Sequence, residues 1–242
     1  MEFALKVENL KKSFGPKEAL KGISFEVKKG EIFALIGPNG AGKTTTLRII
    51  ATLLKPLDGD AFIGGESIKK DPLKVRELIT YLPDEAGAYK NLTGLNYLNF
   101  MAALYCNDKE KAKKAVENAI EICALGDRLN DKIGTYSKGM TRKLLLSRAV
   151  MTKPVLAILD EPTNGLDILN ALEIRKTIKD LANNGMSFLI SSHNMLEIEF
   201  LSDRVGLIND GVLHITGSPK ELKERFEAQN LEEVFSKAVN IS

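Results

Sequence analysis

This 242-residue chain is short of several things, and each shortage narrows what it does. It has two cysteines, Cys106 and Cys123, too few for a disulfide framework or a cysteine metal cluster, so both read as small buried hydrophobes. No window reaches the ~18 apolar residues of a membrane-spanning helix, so any dealing with a membrane must go through a partner. The opening MEFALKVENL lacks the basic start and apolar run of a secretory signal, which makes the cytoplasm the expected compartment. Charge of one sign is also missing. With 27% charged residues balanced to a formal +2, no nucleic-acid partner is expected. Internal repeats and low-complexity linkers are absent. What remains is 44% hydrophobic, enough for one sizeable core or a core with a subdomain.

The apolar residues are patterned. FALKVENL alternates Phe3, Leu5 and Val7 at strand period, and LKGISFEV does the same with Ile23, Phe25 and Val27 before a turn at Lys28–Gly30. The run IFALIG predicts a buried strand that feeds a glycine-rich turn and a helix over KTTTLRIIATLL. From about Asn91 to Met151 the texture is helical, with Ala112, Ala115, Val116, Ala119, Ile120 and Cys123 on one stripe. VLAILD and SFLISS predict strands on either side of a helix over LNALEIRKTIKDLANNG. VGLINDGVLHITG predicts a hairpin turning at Asp210-Gly211. The tail SPKELKERFEAQNLEEVFSKAV predicts one or two amphipathic helices opened by Ser-Pro. Short strands alternating with helices predict an α/β fold with a mostly parallel sheet, a β-rich N-terminal piece and a helical insertion.

GPNGAGKTT, Gly37 to Thr45, fits G-x-x-x-x-G-K-[ST] between a predicted strand and a predicted helix, which makes the core a P-loop NTPase. Gly37, Gly40 and Gly42 let consecutive N–H groups turn toward phosphate oxygens, with Pro38, Asn39, Ala41 and Thr45 completing the cradle. Lys43 bridges the β- and γ-phosphates, and the Thr44 hydroxyl is a hard ligand for Mg²⁺. The strand VLAILD ends in Asp160, which completes the Mg²⁺ shell, and Glu161, which can orient or deprotonate the attacking water. FLISSHN delivers His193 at another strand exit, placed to hold a γ-phosphate; His214 has no such context and reads as structural. A second acidic pair, Asp84-Glu85 in YLPDEAGAY, is open to three readings: acid/base chemistry, a metal site, or a solvated loop.

With the P-loop, LDEPTNGLD and the strand-exit histidine in this order, the chain resembles the ATP-binding subunits of ABC transporters from about Phe3 to Pro219. The resemblance implies an ATPase domain over residues 1–219, with an N-terminal antiparallel β subdomain and a helical subdomain at about 88–152, and a short helical tail over 220–242. It implies ATP and Mg²⁺ as cofactors, a catalytic set of Lys43, Glu161 and His193, and Phe14 stacked on adenine. The family signature, usually leucine-serine-glycine-glycine-glutamine, stands here as YSKGM, Tyr136 to Met140. Ser137 and Gly139 keep the hydroxyl and N–H that reach the γ-phosphate of a partner subunit. Lys138 departs from the usual form and reads either as a phosphate contact or as a solvated charge. Asp167 closes the NGLD loop that meets the second subunit in a head-to-tail pair, whether homodimer or close paralogue. Asp84 falls where the family usually has a glutamine near Mg²⁺, and reads as an ATP and Mg²⁺ contact or as a bystander.

YSKGM, YLPDE and the short tail resemble the exporter branch, with import as the alternative and the substrate set by a separate integral membrane subunit. That implies a peripheral place on the cytoplasmic face of the membrane. A soluble ATPase of the same superfamily, acting in DNA repair or translation, is the rival reading. The paired domains, coiled-coil arms or zinc insertions of such proteins are not visible here. No Asn-Lys-x-Asp guanine reader is present for a GTPase.

Overall fold

The computed structural model describes residues 2–240; residues 1, 241 and 242, at the ends of the expected domain and tail, lie outside the described residues. Along the chain come β1 (Phe3–Phe14), β2 (Lys17–Lys28), β3 (Ile32–Ile36), α1 (Lys43–Ile50), β4 (Asp58–Ile63), β5 (Glu66–Ser67), α2 (Pro72–Leu78) and β6 (Ile79–Leu82). A helical stretch follows: α3 (Gly94–Tyr105), α4 (Lys109–Cys123), two short 3-10 turns and α5 (Lys138–Val150). The chain then returns to alternation with β7 (Leu156–Asp160), α6 (Ile168–Asn183), β8 (Ser187–Ser192) and α7 (Met195–Leu201). The hairpin β9 (Arg204–Asn209) and β10 (Val212–Gly217) and the helices α8 (Pro219–Arg225) and α9 (Leu231–Asn240) complete it.

Two sheets form. One is antiparallel, in the order β2-β1-β4-β5; the other runs β10-β9-β3-β8-β7-β6, with β10 antiparallel and the other five strands parallel. The parallel strands are apolar on both faces because both faces are covered. Alternate residues of β3 divide between two cores: Ile32, Ala34 and Ile36 face the helical stretch and the tail, while Phe33 and Leu35 face α1 and the antiparallel sheet. β7 divides the same way, with Ala157 and Leu159 on one side and Leu156 and Ile158 on the other. Each fully buried Leu, Ile or Phe in these layers contributes roughly 1.5–3 kcal/mol of burial free energy.

The α/β expectation is borne out, with three local differences. The helix after the P-loop ends at Ile50, not Leu54. Thr52 takes a left-handed φ of 61°, and the N–H groups of Thr52 and Leu53 close onto the carbonyls of Ile49 and Arg48 at 2.9 and 2.8 Å. This helix stop is one that glycine usually marks, and threonine hides it. On α4, Ala115, Val116, Ala119 and Cys123 are buried, but Ile120 is exposed: it lies at the edge of the stripe, past the small residues that pack against α3 and α5. Cys123 is buried as expected while Cys106 is only half-buried, and both are free thiols.

The tail is tied in. The Ser218 hydroxyl accepts from Glu221 N–H while the Glu221 carboxylate accepts from Ser218 N–H, a capping box that opens α8. Leu222, Leu231 and Val234 then sink into the same core as the helical stretch. Ser218→Ala removes half of this box and is expected to cost ~1 kcal/mol. In thermal unfolding that is a drop of roughly 2–4 °C, with ATPase activity unchanged at 25 °C.

Candidate functional site

Four chain segments leave the parallel sheet side by side. β3, β8, β7 and β6 are neighbours running the same way, so their exits deliver Gly37, His193, Glu161 and Asp84 to one edge. Crevices at the carboxyl ends of such strands are where α/β sheets take ligands. A cleft of about 320 Å³ opens there, lined by Phe14, Asn39, Gly40, Lys43, Thr44, Thr45, Asp84, Asp160 and Glu161 among others. A larger hollow of about 700 Å³ lies between α4 and α6, remote from these exits and carrying none of these groups.

The loop between β3 and α1 is held in place before any ligand enters. Gly42 stands at the helix N-cap with φ 111°, a left-handed conformation that suits glycine. Gly37 runs so close to β9 that a Cβ there would sit 2.0 Å from the Ile208 carbonyl oxygen. At the tip of the β9–β10 hairpin, Gly211 donates its N–H to the Ala41 carbonyl at 3.0 Å and accepts from Lys21 N–H at 2.9 Å. The P-loop is thereby braced against both sheets. Lys43 is buried, and its ammonium donates to the carbonyls of Gly37 and Pro38 at 2.7 and 3.1 Å. Burial pushes that ammonium below its usual range, against the opposing pull of Glu161 and Asp160. A lysine held this way gains strongly from an incoming anion.

The acidic side of the cleft centres on Asp160, 3% exposed. Its Oδ1 accepts from the Thr44 hydroxyl at 3.2 Å and from the Ser191 hydroxyl; its Oδ2 accepts from the Tyr81 hydroxyl at 3.2 Å. Burial and the neighbouring Asp160 push the Tyr81 phenol up to about 12, with Arg48 pulling the other way. Glu161 follows with φ 49°, a left-handed backbone rare outside glycine and typical of functional positions. Its N–H is held at 3.2 Å by both Ser191 oxygens. The carboxylate lies 2.9 Å from His193 Nδ1 and 4.0 Å from the Lys43 ammonium.

Asp84 lines the cleft, yet its carboxylate is engaged on the far side. Asn164 Nδ2 donates to both oxygens at 3.0 and 3.1 Å. The Arg142 guanidinium donates to the Asp84 carbonyl at 3.0 Å and lies 3.8 Å from Oδ1. Arg142 is buried, which lowers its pKa against the pull of Asp84. Phe14, half exposed at the end of β1, carries the Lys12 ammonium 5.3 Å from its ring centroid.

Ser137, Lys138, Gly139 and Asp167 are not among the cleft's lining residues. They gather elsewhere, where α5 and α6 begin. Ser137 caps α5 by accepting from Met140 N–H, and Asp167 caps α6 by accepting from Asn170 N–H. The Asn170 amide joins the two starts: it donates to Asp167 Oδ2 at 2.6 Å and covers Gly139, where a Cβ would meet it at 2.2 Å. The Lys138 ammonium sits over Gly165. His214 is half-buried on β10. Sequence reasoning missed Tyr81, Ser191, Arg142 and Asn164, whose positions beside known motifs are visible but whose contacts depend on strand register.

A family profile described as ABC transporter matches residues 20–164. Over 236 residues the chain is 39% identical to the linearmycin resistance ATP-binding protein LnrL of Bacillus subtilis (strain 168), spanning 98% of this chain and 76% of the relative. The chain belongs to the ABC transporter ATP-binding family. The bacitracin transport ATP-binding protein BcrA of Bacillus licheniformis is 37% identical over 214 residues, 88% of this chain and 69% of its own. The solved ATP-binding subunit of an ABC transporter superposes with a TM-score of 0.86 at 27% identity, covering 98% of this chain and 99% of the other. The fold is that of an ABC ATPase, and the reaction of this ABC ATPase is ATP hydrolysis coupled to transport. The rival of a repair or translation ATPase finds no support in relatives named for transport and resistance.

Proposed function

We propose that this ABC ATPase powers export of a substrate through a separate membrane subunit, working as a head-to-tail pair on the cytoplasmic face. The observation that carries the chemistry is the convergence of Lys43, Thr44, Asp160 and Glu161 on one cleft, with His193 Nδ1 2.9 Å from Glu161. Among the described residues no three or more His, Cys, Asp or Glu side chains form a metal cage. Thr44 and Asp160 fit Mg²⁺ instead, which takes one or two protein oxygens together with phosphate and water. Bound there, Mg²⁺ neutralises phosphate oxygens and polarises the phosphoryl group.

The P-loop N–H groups and Lys43 hold the β- and γ-phosphates, and Phe14 offers its exposed face to adenine. A water oxygen bonds to the γ-phosphorus as the bond to the ADP oxygen breaks, and the Glu161 carboxylate takes the water's proton. His193 orients Glu161 through Nδ1. Ser137 and Gly139, outside their own cleft, serve the cleft of a second copy; the N-terminus of α5 adds its favourable field for an anion. Asp167 meets that copy, and Lys138 stands at the same face. ATP then favours the closed pair and hydrolysis releases it, since only differential affinity moves such an equilibrium.

Among the described residues no helix is long and apolar enough to cross a membrane. A docking face for a membrane subunit lies on α3, where Phe100 and Leu104 are exposed beside Tyr89, whose ring meets Phe100 edge-on at 5.7 Å. The relatives' association with linearmycin resistance and bacitracin transport supports export. Purification from native membranes in mild detergent is expected to bring down one integral membrane protein in fixed ratio. Recovery of soluble partners alone would overturn the assignment. Asp84 is the joint between the cleft and α5. Asp84→Gln removes a charge near the phosphates and is expected to raise the Mg²⁺ concentration giving half-maximal hydrolysis several-fold. An unchanged Mg²⁺ dependence would assign Asp84 to the Asn164–Arg142 contact alone.

A further inference from the structure

We propose that Tyr81 is a positioning residue for ATP hydrolysis: its phenol sets the direction in which the Asp160 carboxylate faces the metal. This rests on the reading of the cleft as a Mg²⁺–ATP site.

The geometry is asymmetric about Asp160. Two hydroxyls, from Thr44 and Ser191, converge on Oδ1, and Tyr81 alone of the three reaches Oδ2, at 3.2 Å. A carboxylate held through one oxygen can still rock about its Cβ–Cγ bond. A donor on the other oxygen, coming from another strand, stops that rotation. Tyr81 is well mounted for this. It lies on β6, which pairs in parallel with β7, and its Cα partner is Ile158, two residues before Asp160. Its ring is half-buried against the core under the antiparallel sheet. The donor is also the right chemical type. A lysine or arginine at this point would cancel the carboxylate's charge and compete with a cation. A phenol orients the carboxylate and leaves the charge in place. Such outer contacts to a metal-binding side chain are worth about 10–100-fold in metal affinity.

The test is Tyr81→Phe, which removes one oxygen and keeps the ring. Binding of a fluorescent β,γ-imido ATP analogue to the purified full chain is titrated once in EDTA and once in saturating Mg²⁺. In the unaltered protein Mg²⁺ is expected to tighten binding. In Tyr81→Phe the EDTA affinity should be unchanged, and the tightening by Mg²⁺ should shrink by about tenfold. Ser191→Ala, which removes one of the two donors on the other oxygen, should shrink it in the same direction. A Tyr81→Phe protein with the full Mg²⁺ effect would overturn the proposal. So would an equal loss with and without Mg²⁺, which would mark the hydroxyl as packing for the cleft. If Mg²⁺ has no effect on the unaltered protein, the reading of the cleft falls and takes this inference with it.

Discussion

Glu161→Gln is expected to slow ATP turnover by on the order of 10²–10⁴-fold, the usual worth of a general base, while ATP still binds. The amide keeps the size and the polar contact to His193 but cannot take a proton from water. Lys43, Thr44 and Asp160 are untouched, so the phosphate groups keep their partners. With hydrolysis stalled, the closed pair has no exit, and the variant should elute as a dimer in ATP and as a monomer without it. The charge change also bears on Lys43, 4.0 Å away and already depressed by burial, since it loses one of its two stabilising carboxylates. The phosphates of bound ATP compensate for that loss, so the defect should show in rate and not in affinity. Turnover at the unaltered rate would remove Glu161 from the base's role.

Gly37→Ala is expected to be as damaging by a different route. The added methyl would overlap the Ile208 carbonyl oxygen at 2.0 Å, a backbone atom that cannot swing aside. Either β9 or the P-loop must move, and both are tied together through Gly211 and Ala41. Overpacking of this kind costs about 1–3 kcal/mol, so the melting midpoint should fall by several degrees. The larger effect is on function: displacing phosphate-holding N–H groups by roughly an ångström is enough to lose on the order of 10²-fold in activity. Intact ATPase activity in Gly37→Ala would mean that the loop can re-form away from β9.

The parallel core was legible because its signals are local and chemical. Apolar runs that end in Gly-Pro-Asn, in Asp-Glu-Pro and in Ser-His-Asn place the strand and the candidate group in one short stretch, so the gathering of Lys43, Asp160, Glu161 and His193 at one edge of the sheet could be expected without a structure. Elements whose stability is supplied by neighbours were not legible. β4 begins Asp-Gly-Asp and is held by pairing with β1 and β5, and α2 has a single buried residue, Val75. The stop of α1 at a left-handed threonine has no compositional mark. Tyr81 and Ser191 lie 79 and 31 residues from Asp160 in the chain, and only the register of three parallel strands brings their hydroxyls to it. Asp84 was readable as a substitution within a motif, whereas its hold by Arg142 and Asn164 was not, because those residues sit on separate elements.

The small bracket at the start of α5 and α6 has a consequence for heredity and for engineering. Because the Asn170 amide occupies the space above Gly139 and also ties Asp167, these three positions cannot drift independently. A lineage that acquires a side chain at 139 must turn aside or shorten the side chain at 170, and either change loosens 167. A graft that carries only the five residues YSKGM into another ABC ATPase would therefore transplant half of a lock. A graft that carries Asp167 and Asn170 with them would transplant the whole.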